Sequence, residues 1–216
     1  MGIFKTIVEE QVSAEIVEKK SKFIASLFFV ESVSDAEEKI KSTKKKYFDA
    51  KHNCFAYIIN QNNEITKRSS DDGEPSGTAG APMLEILEKN NIANVLVVVT
   101  RYFGGILLGT GGLVRAYSDS LKKAIDVATW GTQEPGAEMD ITLEYADLEN
   151  FKYYCGKHNI KILNSEYLDS VVCKIELNNS EKNIIENDYA NQNNLNIKKI
   201  DNIRQKNVTC LSKDVD

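Results

Sequence analysis

The sequence has little of what builds metal sites, disulfide frameworks or membrane spans. Among 216 residues there are four cysteines and two histidines. Cys54, Cys155, Cys173 and Cys210 form no CxxC pair, and only His52 and His158 offer imidazole, so neither a structural zinc site nor a disulfide scaffold is expected. The longest apolar run, VLVVV, falls far short of the roughly 20 residues a spanning helix needs. The opening MGIFKTIVEEQ lacks the basic-then-apolar order of a signal peptide. A reducing cytoplasm is the expected setting, with no membrane partner. Positive charge is also short: the net charge is −5, with 17 basic and 18 acidic side chains in residues 1–134 and 10 and 14 in residues 135–216. A dedicated nucleic-acid binder carries a basic surplus. Global charge therefore weighs against RNA or DNA while leaving room for a local basic patch. The length and the 42% of hydrophobic residues suit one large or two small domains.

What glycine there is gathers in one place. Gly104, Gly105, Gly109, Gly111 and Gly112 put five of the twelve glycines into nine residues. Before them, VLVVVT suits a strand buried on both faces. After them, Leu113, Ala116, Tyr117, Leu121, Ala124 and Ala128 recur at helical spacing. Ordering so many glycines costs conformational entropy, so the loop needs a reason. Two stand open: backbone packed too closely for a Cβ, or backbone N–H groups presented to an anion at a helix N-terminus. The Gly104-to-Gly109 spacing lacks the Lys and Ser/Thr of a P-loop, and Val114 stands where a dinucleotide loop has its last glycine. Arg101 and Arg115 flank the loop. With a helix starting near Gly111, Arg115 falls in its first turn, where a cation opposes the dipole and wants a carboxylate or a bound anion.

A second irregular stretch, residues 68–82 (RSSDDGEPSGTAGAP), fits neither strand nor helix until a helix begins near Pro82, capped by Thr78 or Gly80. Asp71, Asp72 and Glu74 could hold Mg²⁺ as hard oxygen ligands. The competing and favoured reading has them capping backbone groups or pairing with Arg101 and Arg115. The two loops should face each other, with Asp71 or Asp72 in salt-bridge reach of one of those arginines.

Along the rest of the chain, strands are expected at Ile3–Val8 and Val12–Lys19, paired as a hairpin, and at Lys22–Val30. A helix follows at Ala36–Tyr47 with its N-cap at Ser34-Asp35 and the basic tail KSTKKK, then a strand at His52–Asn60 and a turn at 61–64. Trp130–Gly136 breaks the pattern and marks a boundary between residues 1–134 and 135–216. Beyond it come strand Met139–Tyr145, helix Leu148–His158, strands Ile160–Tyr167 and Ser170–Asn178, helix Ser180–Asn191 and strand Leu195–Val208. That βαββαβ order is the ferredoxin-like arrangement. The fold class is α+β.

The motifs RSSDDGEPSGTAGAPML and VVVTRYFGGILLGTGGLVRAYSDS, with Ser21-Lys22-Phe23 and His52, resemble the signature of the YigZ/IMPACT family. The resemblance covers essentially the whole chain, with no departure at the motif positions. It implies an N-terminal left-handed βαβ domain like a ribosomal small-subunit protein, elongation factor G domain IV and the GHMP kinases. It also implies a C-terminal domain like the ferredoxin-like domains of elongation factor G. Eukaryotic members act in translational control and carry an accessory domain different from the one read here, so their partner does not transfer.

The favoured function is a non-enzymatic binding or regulatory protein of translation, contacting RNA or a ribosome-associated partner. Arg101, Arg115 and the amides of Gly104, Gly105, Gly109, Gly111 and Gly112 would meet phosphates, and Tyr102 and Phe103 would stack on bases. Asp71, Asp72, Glu74, Ser76 and Thr78 would form the facing loop. No catalytic residue, metal ligand or cofactor is assigned. One alternative is a phosphate- or nucleotide-dependent enzyme of GHMP-kinase-like fold, with Mg²⁺ on the acidic loop. The other is a protein-binding adaptor whose loops are structural.

Overall fold

The computed structural model describes residues 3–61, 64–191 and 196–211. The elements in chain order are β1 (Phe4–Ile7), β2 (Gln11–Glu18), β3 (Ser21–Phe29), α1 (Val33–Lys46), β4 (His52–Gln61), β5 (Glu64–Ser70), α2 (Gly80–Lys89), β6 (Val95–Tyr102), α3 (Gly109–Val127), β7 (Trp130–Leu143), α4 (Leu148–Lys157), β8 (Lys161–Tyr167), β9 (Val171–Asn178), α5 (Asn179–Ala190) and β10 (Ile197–Leu211). The protein is two-domain α+β. Chain contacts divide it into a unit of Phe4–Thr132 and a unit of Gln133–Cys210.

The first unit is a sheet in the order β2-β3-β6-β4-β5, every neighbour antiparallel. The central β6 is buried along both faces, as its unbroken aliphatic run requires. One face packs Phe23, Ala25, Leu27, Cys54, Ala56, Val97 and Val99 under α2 and α3. The other packs Phe55, Tyr57, Leu96 and Val98 under α1. Because β3 and β4 begin where β6 and β5 end, the Lys20, His52, Asp71 and Arg101 regions all meet at one end of the sheet.

In the second unit β7, β8 and β9 form an antiparallel sheet in the order β7-β9-β8, and both β1 and β10 also pair with the long β7, so the second unit's own strands run β10-β7-β9-β8. That is the order expected of a ferredoxin-like βαββαβ unit. Met139, Ile141, Leu143, Phe151, Cys155, Cys173, Ile175 and Ile185 form its core. Asn178 caps α5 and Glu181 returns the bond to complete a capping box.

Several expectations change. The expected hairpin of residues 3–8 and 12–19 does not form. Instead β2 pairs with β3 through a two-residue turn at Lys19-Lys20. Lys5 of β1 bonds Asn91 and Ala93, and Val8 bonds Thr129. Residues 130–136, read as a break, are part of the continuous strand β7. Pro135 is tolerated there because pairing with β9 starts one residue later, at Gly136. Strand β5 was hidden in a polar stretch whose side chains are mostly exposed. Ser32, not Ser34-Asp35, caps α1, accepting from the Asp35 N–H at 3.1 Å. Part of the expected 61–64 turn and of the 195–208 strand lies outside the described residues.

Candidate functional site

Across the end of the first sheet, Phe23, Arg101 and His52 sit in one row on β3, β6 and β4. Cys54, two residues after His52, shares its face by strand alternation. These side chains point at the α2–α3 layer, so Arg101 is buried rather than presented to solvent, with 6% exposure. A buried guanidinium needs a partner. Glu74 reaches in from the acidic loop and accepts from Arg101 Nη1 at 2.6 Å. The same Glu74 Oε1 accepts from the Tyr117 hydroxyl of α3 at 2.8 Å and lies 3.9 Å from His52 Nε2. Phe23 packs edge-on against Tyr117, centroids 5.2 Å apart, and lies under the guanidinium. Glu74 thus ties the loop to both β6 and α3.

The two loops face each other as expected, but through a different carboxylate. Neither Asp71 nor Asp72 pairs with an arginine. Asp71 takes the N–H groups of Gly77, Ala79 and Gly80 at 2.8, 2.9 and 2.8 Å. The last two belong to the start of α2, whose N-cap Ala79 has no capping side chain. Asp71 is therefore a cap supplied from nine residues upstream. Asp72, at φ +42°, accepts from Lys44 Nζ at 2.6 Å and from the Asn53 N–H at 2.7 Å. His52 Nδ1 lies 2.8 Å from its carbonyl oxygen, so that nitrogen carries a hydrogen and donates. The three carboxylates diverge to three sets of donors, and no metal-holding cluster occurs among the described residues. Thr78 bonds the Pro75 carbonyl at 2.6 Å, while Ser76 is exposed.

Burial shapes the chemistry of this cluster. Cys54 Sγ lies 2.9 Å from the Asp71 carbonyl oxygen and 3.3 Å from the Tyr117 hydroxyl. Loss of solvent, abetted by the negative charges of Glu74, Asp72 and Asp71, pushes the thiol up to about 12. Burial, then Cys54 and Glu74, likewise push Tyr117 well above its ordinary range. Neither is a nucleophile or proton carrier near neutral pH. For Asp71 partial burial acts upward, but the Gly77, Gly80 and Ala79 amides outweigh it and hold the carboxyl below 3.8. A depressed carboxyl stabilises the fold fully above its unfolded pKa, and that share is lost as pH falls through the lower folded value. Asp71→Ala should cost about 2 kcal/mol in urea unfolding at pH 7. The gap between wild type and variant should narrow below pH 3.8. A constant gap down to acid would show that the amides are not held by the charge.

The glycines divide by reason. At Gly104 a Cβ would stand 2.0 Å from the Lys20 carbonyl carbon, so the loop backbone lies directly on the β2–β3 turn, and the Gly104 N–H bonds Ser21 Oγ. Gly105 and Gly109 adopt φ of +85° and +74°. At Gly111 a Cβ would meet nothing within 4 Å. α3 starts at Gly109 rather than Gly111, which moves Arg115 out of the first turn to an exposed site with no ion pair among the described residues. The first turn of α3 holds no acidic residue and no capping side chain. Tyr102 donates to Asp49 at 2.8 Å on the α1 side. Phe103 is 49% exposed, and its loop neighbour Leu107 83%.

Sequence reasoning missed Cys54, Asn53, Lys44 and the bond from Tyr117. His52 and Cys54 share a strand face, which was a readable hint. Nothing in the spacing could have shown that Glu74, rather than Asp71 or Asp72, reaches Arg101.

The Impact N-terminal domain profile matches residues 19–125, and a domain of unknown function (DUF1949) matches residues 141–188. Over 119 residues the chain is 50% identical to IMPACT family member YvyE of Bacillus subtilis, covering 55% of this chain and 54% of that protein. Over 173 residues it is 37% identical to IMPACT family member YigZ of Escherichia coli, covering 80% of this chain and 81% of that protein. A crystal structure of a hypothetical protein aligns over 93% of this chain and 97% of its own, with TM-score 0.64 and 31% identity.

Proposed function

The chain belongs to the IMPACT family, and we propose that it is a non-enzymatic regulatory protein associated with translation that contacts RNA at the glycine-loop end of its N-terminal sheet. The observation that carries this is the β2–β3 turn. Lys19 and Lys20 have φ of +43° and +64°, so both central residues of a two-residue turn are left-handed. Asn-Gly relaxes such a turn, whereas a residue other than Gly, Asn or Asp costs roughly 1 kcal/mol in that region. Two lysines held there against their preference present two exposed charges beside Gly104. The turn requires positive φ at both positions but does not require lysine there, and strain kept by residue choice points to function.

The surroundings fit a polyanion. Lys45 lies in the last turn of α1 and Lys51 precedes β4 at the same end of the sheet, both exposed and without an ion pair among the described residues. Arg115 and the open first turn of α3 complete the basic surface. Half-exposed Phe103 offers a ring for a base. Arg101, by contrast, acts from inside, holding Glu74 and the acidic loop in place.

The double variant Lys19→Asn/Lys20→Gly separates function from stability. Wild type should bind a labelled single-stranded RNA of roughly 16 nucleotides in an anisotropy titration, with affinity falling as salt rises. The variant should bind about tenfold more weakly with a salt slope shallower by about 1 to 2, while melting no lower than wild type. No binding at low salt, or binding that ignores salt, overturns the phosphate contact and favours the protein-binding adaptor. A thermal shift with nucleotide and Mg²⁺ but none with RNA favours a phosphate-dependent enzyme instead.

A further inference from the structure

The C-terminal unit carries an exposed apolar corner of opposite electrostatic character. Tyr145, Tyr167 and Leu168 are 51%, 55% and 70% exposed, although each is large enough to belong in a core. They are not loose. The Tyr145 hydroxyl donates to the Leu168 carbonyl at 2.7 Å, and the two tyrosine rings lie 6.3 Å apart, tilted by 31°. A short 3-10 turn at Tyr145–Asp147 is thereby fastened to the turn that joins β8 to β9. Rigid, amphipathic rings held outward lower the entropy lost when a partner docks.

The rim of this corner is acidic. Asp169 follows Leu168 in the turn and Glu166 precedes Tyr167 on the opposite face of β8, both exposed and without an ion pair among the described residues. Glu149, on the first turn of α4, is matched by Lys152, which lies within electrostatic reach of Tyr167. The half of the chain that holds this corner, residues 135–216, has 10 basic against 14 acidic side chains. The adjoining β8 is the edge of its sheet, pairing with β9 alone in the sheet order. Its outer backbone groups can accept an extended segment.

From these three features we infer that the C-terminal unit docks a lysine- or arginine-rich extended protein segment at Tyr145, Tyr167 and Leu168. Cationic side chains would lie over the tyrosine faces, and Glu166 and Asp169 would steer and orient the segment. The partner class is a basic protein, because RNA would be repelled by this rim. The inference concerns a surface separate from the RNA contact, and either can fail without the other.

The test uses the full chain and a labelled octapeptide of alternating Arg and Ile, with the Glu/Ile octapeptide as control. The basic peptide should bind, and its resonance shifts should centre on Tyr145 and Tyr167. The charge reversal Glu166→Lys/Asp169→Lys, at exposed positions that leave the fold intact, should weaken it at least tenfold. Tyr167→Ser should also weaken it, while Lys19→Asn/Lys20→Gly should leave it unchanged. Equal binding of the two peptides, an unaltered affinity in the charge-reversed protein, or shifts at this corner induced by RNA would each overturn the proposal.

Discussion

Glu74→Ala should lower the stability of the N-terminal unit by about 3–5 kcal/mol, because removing one partner of a buried ion pair leaves the other charge uncompensated. The stranded partner is Arg101, whose side chain is 7% exposed. The same deletion removes the acceptor of the Tyr117 hydroxyl, another buried polar group. The transition can be followed through Trp130, the single tryptophan, which packs against the N-terminal core and donates to the Ile125 carbonyl at 3.0 Å. The partner variant Arg101→Met should be costly for the mirror-image reason. The double variant Glu74→Leu/Arg101→Met should recover much of the loss, since apolar replacement of both members of a buried pair is often neutral or stabilising. A single-variant loss no larger than the roughly 0.5 kcal/mol of an ordinary surface substitution would mean that Glu74 does not hold the loop.

That strut also explains what was and was not legible in the sequence. The β6 run, the α3 face and the βαββαβ order could be read because apolar periodicity is a local property, written within ten or so residues. The likeness of the two loop motifs to one family supplied the rest of the architecture. Pairing between distant polar residues is different. Asp71, Asp72 and Glu74 are chemically alike and nearly adjacent, yet one caps a helix, one binds a lysine and a strand amide, and one enters the core. The choice is set by loop geometry, with Asp72 and Gly73 both at positive φ, and no spacing rule encodes it. β5 was missed for a related reason. As an edge strand with mostly exposed side chains it lacks the alternation that marks a half-buried strand.

Gly104→Ala should destabilise the protein by about 1–3 kcal/mol, the usual cost of forcing extra volume into a packed site. The atoms in the way are the Lys20 carbonyl carbon and oxygen at 2.0 and 2.1 Å and the Ser21 nitrogen at 2.4 Å. All three are backbone, so no rotamer change relieves the clash, and the loop must lift off the β2–β3 turn. Its bond to Ser21 Oγ would go with it. RNA affinity should fall as well, because the lysine turn and the start of α3 would no longer be held together. Gly111→Ala is the matched control. Its new methyl meets nothing within 4 Å and its backbone is helical, so alanine should stabilise α3 by up to about 1 kcal/mol. If the amides of that first turn receive phosphate, the same methyl stands where the ligand approaches, and RNA binding should weaken in a protein that melts higher. Should Gly111→Ala bind RNA as wild type does, the phosphate contact belongs to the lysines alone and the glycine loop is only the brace beneath them.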